Sequence, residues 1–353
     1  MPNPSARERA ARFCEAFGMR LPILLAPMAG ACPAALSIAV ANGGGLGSCG
    51  TLLLHPEAIG AWVAEVRAHS NGAFQLNLWI PDAPPVRNAA HEAELRAALG
   101  QWGPAVPETA ADTPLVDFDA QCEAMLAAGP PIVSSVMGLY PPAFVARLKA
   151  RGIAWFANIS TVTEAIEAEA AGADAVVAQG MEAGGHRGTA NAAQAEARMV
   201  GSMALIPAVA DAVRIPVIGT GGIADARGIA AALILGASAA QIGTGFLRTP
   251  EAGVHPAWAD ALATVRPEHT TITRAFSGRP GRSIATAYTE AATNPAPYPI
   301  QRNLTAAMRA DAQAQNDLQR MQAWAGQSAA LASAEPAADL IQRLWREAET
   351  LLP

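Results

Sequence analysis

The residues best suited to chemistry lie in one glycine-rich run, Gly180-Met181-Glu182-Ala183-Gly184-Gly185-His186-Arg187-Gly188. Its imidazole can act as a general base or a hydrogen-bond donor, because histidine titrates close to neutral pH. Two further glycine clusters follow, Gly219-Thr220-Gly221-Gly222 and Gln241-Ile242-Gly243-Thr244-Gly245. Backbone N–H groups left open by missing side chains can close on a phosphate, and both loops carry that signal. Upstream, Pro27-Met28-Ala29-Gly30 ends an apolar run with small residues that let a flat ligand approach the backbone. Asn77 ends a run in which it shares a face with Gln75, opposite Phe74, Leu76 and Leu78, and Gln179 ends one in which it shares a face with Ala175 and Val177.

Other chemistries lose support. Lys149 is the single lysine, and Arg147-Leu148-Lys149-Ala150-Arg151-Gly152 reads as a basic helix end with a glycine stop. A Schiff-base or P-loop lysine is therefore not expected. Cys14, Cys32, Cys49 and Cys122 have no metal-ligand or disulfide-framework spacing, and no His/Asp/Glu set has zinc spacing, so no catalytic metal is expected. Gly-x-Ser-x-Gly is absent. A net charge of −6 argues against a general nucleic-acid binder. The stretch Met1–Arg12 is charged and every apolar run is interrupted, which predicts a cytoplasmic protein with no membrane partner.

These groups need elements to hold them. Strands are predicted at Leu21–Ala26, around Gly43–Ser48, and at Phe74–Ile80, Ile132–Met137, Ile153–Asn158, Ala175–Gln179, Pro216–Gly219 and Ala240–Gly243. Helical spacing falls between them, as in His55–His69, where Ile59, Trp62, Val63 and Val66 share a face. Eight strands alternating with helices predict an α/β fold, a TIM-type (β/α)8 barrel, over residues 1–250. Prolines break the rhythm over 81–129, which reads as a helical insertion after strand three with helices near Asn88–Leu99 and Asp117–Ala128. Residues 251–353 read as a mainly helical C-terminal extension packing on the barrel, with an amphipathic Leu340–Leu351 in which Trp345 is a packing residue. In such a barrel the chemistry sits at the carboxyl ends of the strands. His186 and all the glycine clusters fall there. His55, His69, His91, His255 and His269 do not.

The order and strand-end placement of these motifs, with Tyr298-Pro299, Asn303-Leu304-Thr305 and Trp324-Ala325-Gly326-Gln327, resembles the nitronate monooxygenases, FMN-dependent barrels formerly called 2-nitropropane dioxygenases. The resemblance spans nearly the whole chain. It implies that Asn77, Gln179 and Gln241 hydrogen-bond the flavin region, and that Gly184, Gly222, Gly243 and Thr244 line FMN. Met28, Ala29, Gly30, Gly185, Gly221 and Ile242 complete the implied cofactor-binding set, and His186 matches the family's catalytic base. The implied reaction turns an alkyl nitronate and O₂ into a carbonyl compound and nitrite.

One departure stands out. Many bacterial members carry a histidine inside strand four, where this chain has Val133-Ser134-Ser135-Val136-Met137-Gly138. Val136 can neither donate to a nitronate oxygen nor exchange a proton, so a bulkier or more apolar substrate is expected. The alternative within enzymes is an NAD(P)H-dependent FMN reductase of the enoyl-thioester or quinone type. The alternative outside them is a barrel without flavin, or one that binds FMN without turnover.

Overall fold

A computed structural model of the chain describes residues 4–353, so the first three residues of the charged N-terminal stretch lie outside the described residues. Eight strands form one parallel sheet: β1 (Ile23–Leu25), β2 (Gly47–Gly50), β3 (Phe74–Trp79), β4 (Ile132–Val136), β5 (Ala154–Ile159), β6 (Ala175–Gln179), β8 (Val217–Thr220) and β9 (Ala239–Ile242). Between β6 and β8 lies β7 (Gly185–His186), which belongs to a second sheet. β1 pairs with β9, and a parallel bridge from Leu24 to Leu46 brings β1 back to β2. The sheet is a nearly closed barrel with helices around it, as the alternation predicts.

The alternation within each strand sorts the side chains. Leu76 and Leu78 of β3 face outward into the layer shared with the helices, while Gln75 and Asn77 face inward. The inward residues Leu24, Ile132, Phe156, Val177 and Ile218 fill the barrel toward its amino end. Helix Ala6–Phe17 closes that end, with Phe17 edge-on to Phe156 at 4.8 Å. Ser5 and Glu8 form a reciprocal capping box that fixes where this helix starts. One end of the barrel is thus plugged, and any cavity must open at the other.

Three details depart from the sequence reading. The second strand begins at Gly47 rather than Gly43, because Gly44 ends helix Ala34–Gly43 with φ 111°. A Cβ on Gly43 would come within 2.5 Å of Ile341 in helix Ala337–Leu351. That glycine run therefore makes room for the C-terminal helix. Helix Phe118–Ala128 buries Cys122, Met125 and Leu126 in the main core, so it takes a barrel-helix position and the irregular insertion ends before it. The extension also carries two strands, β10 (Thr270–Thr273) and β11 (Gly281–Ile284), where only helices were expected. β11 pairs antiparallel with both β10 and β7, placing Gly281 opposite His186. Phe276, Tyr288, Ile300 and Met308 of the extension pack with Leu99 and Ala111 of the insertion. Trp345 is partly buried against the main core, as a packing residue.

Among the described residues no helix is long and apolar enough to cross a membrane, and no group of three or more His, Cys, Asp or Glu could hold a metal. The four cysteines are buried free thiols.

Candidate active site

The carboxyl ends of the barrel strands surround a cavity of about 480 Å³. It is large enough for a flat cofactor with a small substrate beside it. Met28, Ala29 and Gly30 line it from the end of β1, Asn77 from β3, Gln179 from β6, and Gln241, Gly243 and Thr244 from β9 and the loop beyond. Gly221 and Gly222 enter after β8, and Gly184, Gly185 and His186 from the loop after β6. The sequence-predicted residues therefore converge, with one exception. Ile242 is 1% exposed and faces the helix layer, because strand alternation that turns Gln241 inward turns its neighbour out.

Each glycine is there for its own reason. Gly221 and Gly222 have φ of 103° and 73°, a left-handed backbone that side-chain-bearing residues avoid. The N–H groups of Gly221, Gly222, Gly243 and Thr244 find no acceptor among the described residues. They form a cradle of open donors that suits a phosphate. Behind it, the Glu182 carboxylate accepts the Ser202 N–H at 2.9 Å at the start of helix Ser202–Ala212, and Ser328 Oγ donates to the Gly222 carbonyl. Gly184 serves packing instead: a Cβ there would come within 2.5 Å of the Gly326 nitrogen in the extension.

The amides divide their work. Gln179 donates through Nε2 to the His186 carbonyl at 3.0 Å and accepts the Gly188 N–H through Oε1 at 2.7 Å. Both bonds pin the His186 loop, and Gln179, which lines the cavity, keeps a second Nε2–H and a second Oε1 lone pair. Asn77 Nδ2 donates to Ser134 Oγ at 2.9 Å, and Gln75 Nε2 approaches Gln241 Oε1 at 3.5 Å. Gln75 Oε1 and Asn158 Nδ2 are buried without partners, and Asn158 lines the cavity. Leaving such atoms unpaired costs free energy, and a polar ligand edge in the cavity would relieve it at Asn158.

His186 is enclosed by rings. Trp79 meets it edge-on with centroids 4.8 Å apart, and Trp324 lies 4.7 Å away. Its Nε2 is 2.7 Å from Ser277 Oγ, which in turn lies 3.2 Å from the Arg279 carbonyl. Burial, and then the nearby Arg279 and Arg302 guanidinium groups, push its pKa down to about 3. The imidazole is accordingly neutral, and the same surroundings that keep it so lower its proton affinity.

Sequence reasoning did not single out Asn158, Ser277, Arg302 or Arg309 as lining residues. The last three come from the extension, which carries no strand-end signal to mark them. Met137, after β4, also lines the cavity and holds φ 69°, strained for a side chain without local compensation. Its N–H donates to the Gly188 carbonyl at 3.2 Å, tying β4 to the histidine loop. Val136 lies in the wall beside Gly188, where the resemblance places a histidine. His255, set aside from sequence, lines the cavity too, with Nδ1 accepting the Ala257 N–H.

Comparison with known proteins matches residues 11–347 to a family model described as nitronate monooxygenase. A nitronate monooxygenase of Paraburkholderia phytofirmans is 39% identical, the match covering 94% of this chain and 93% of the relative. A nitronate monooxygenase of Pseudomonas aeruginosa is 37% identical over 95% and 98% of the two chains. Among solved structures, the nitroalkane oxidase of Streptomyces ansochromogenes superposes with a TM-score of 0.87 at 34% identity, covering 94% of this chain and 96% of that one.

Proposed function

Because the chain belongs to the nitronate monooxygenase family, whose members are flavin-dependent oxidoreductases, we propose that it binds FMN noncovalently and oxidises alkyl nitronates with O₂ to a carbonyl compound and nitrite. The observation that carries this reading is the joining of an open N–H cradle, an apolar floor and a neutral histidine around one cavity. The cradle at Gly221, Gly222, Gly243 and Thr244 would take the phosphate, while Met28, Ala29 and Gly30 would face the ring system. Asn77, Asn158 and Gln241 supply amides for its polar edge. Bound FMN supplies the redox chemistry.

The protein's own part is placement and one proton. Ser277 Oγ donating to the Arg279 carbonyl would accept the His186 Nε2–H, leaving Nδ1 as the bare acceptor. With a nitroalkane, Nδ1 takes the carbon-bound proton; with a preformed nitronate, no proton transfer is needed. Trp79, Trp324 and Tyr298 exclude water from that step. The buried free thiols fit a reducing, cytoplasmic setting.

The test is purification without added flavin, followed by nitrite release and O₂ uptake with propane-2-nitronate. A yellow protein that yields nitrite and consumes O₂ supports the reading. A colourless protein that cannot be loaded with FMN, or one reduced rapidly by NAD(P)H but inert to nitronates, overturns it.

A further inference from the structure

The cavity wall contains no aspartate or glutamate, and its charged residues are arginines of the C-terminal extension. Arg309 is held from all three nitrogens: it donates to Thr305 Oγ1, Gln322 Oε1 and the Arg302 carbonyl at 3.2, 2.8 and 2.9 Å. Arg279 is paired with Asp82 at 3.4 Å and donates to the Thr189 carbonyl. Arg302 differs. It lines the cavity from the short helix Ile300–Leu304, and its guanidinium makes no hydrogen bond or ion pair with any described residue. His186 offers no positive charge, since its ring is neutral and held by Ser277. Val136 offers none either, and His255 is turned to its own helix start.

An unpaired guanidinium facing a cavity without carboxylates is a receptor for a planar anion, because its fork of donors matches two coplanar oxygens. We propose that Arg302 holds the NO₂⁻ head of the nitronate, fixing the substrate's orientation in the cavity and making the site selective for the anionic substrate over its neutral nitroalkane. This rests on the nitronate reading above. Arg309, through its bond to the Arg302 carbonyl, fixes the backbone from which the guanidinium projects. The charge that recognises the substrate would thus come from the extension, while the barrel holds the cofactor.

The experiment compares wild type, Arg302→Gln and Arg302→Lys, each loaded with FMN. Steady-state kinetics on propane-2-nitronate and 2-nitropropane are paired with calorimetric titration of nitrate, a planar anion that needs no turnover. Losing a charged hydrogen-bonding partner should weaken binding by about ten- to a hundred-fold. The expected result is a rise of that order in KM for the nitronate and in Kd for nitrate in Arg302→Gln, larger than any change in the KM for 2-nitropropane. Arg302→Lys should recover part of both, and it carries the test through the same two constants if Arg302→Gln does not fold. Equal rises in KM for the two substrates, or an unchanged nitrate Kd, would overturn the assignment. Nitrate binding that depends on Arg302 in a protein without nitrite release would uphold the anion site and sink the nitronate reading alone.

Discussion

At the scale of single residues, the enclosure of His186 sets both its chemistry and a stability cost. A part-buried imidazole whose pKa is pushed down to about 3 stays neutral in the folded chain, whereas the unfolded chain protonates it below its ordinary value of 6.5. The unfolded state then binds more protons, so folding stability falls as the pH drops from about 6.5 toward 3. In the flavin-free protein, His186→Asn should flatten that part of the stability-versus-pH curve from urea melts. An unchanged slope would mean the ring is solvated in solution. The same substitution should cost roughly 10²–10⁴-fold in kcat/KM on 2-nitropropane, yet much less on propane-2-nitronate, whose proton is already gone. Equal losses would reduce His186 to a structural or anion-binding role. The apolar Val136 makes its own claim: longer nitronates should gain up to ~0.8 kcal/mol of binding per buried CH₂. A kcat/KM series flat with chain length would refute it.

At the scale of elements, the sequence displays what is local and hides what is long-range. The barrel strands announce themselves by apolar alternation ending in glycine or amide, and the loops after β8 and β9 were marked by glycines alone. The inward direction of Asn77 followed from Phe74, Leu76 and Leu78 sharing the other face. β7 could not be read that way. Two residues, Gly185 and His186, have no period, and their pairing partner lies nearly a hundred positions later at Gly281 and Arg282. Gly43 and Gly45 read as part of the second strand because Ile341, the side chain they accommodate, is almost three hundred residues away. That contact is testable. Ile341 is completely buried among the barrel helices, and Ile341→Ala should cost about 2–5 kcal/mol in a denaturant melt. A loss below ~1 kcal/mol would show that the helix Ala337–Leu351 is loosely docked.

Across the whole molecule, barrel and extension are two halves of one site rather than a catalytic domain with an appendage. The open N–H cradle proposed for the phosphate belongs to the barrel loops, but Gly222 is tied to Ser328 and Gly184 is packed on Gly326. His186 is paired to β11, flanked by Trp324 and bonded to Ser277, all from beyond residue 250. A ligand filling the cavity therefore binds only when both halves are folded and docked. Such a ligand stabilises the native state by RT ln(1 + [L]/Kd), about 2.7 kcal/mol at a hundredfold excess over Kd. FMN should accordingly raise the melting temperature of the entire chain. Far-UV circular dichroism reports mostly on barrel helices, whereas tryptophan fluorescence includes Trp258 and Trp324 of the extension. The two signals should share one midpoint without FMN and move together when it is added. Two transitions, with only the circular dichroism midpoint following FMN, would mean that the extension unfolds independently and that the barrel alone holds the cofactor. A single transition that FMN does not shift would instead remove the cradle at Gly221, Gly222, Gly243 and Thr244 from the binding site.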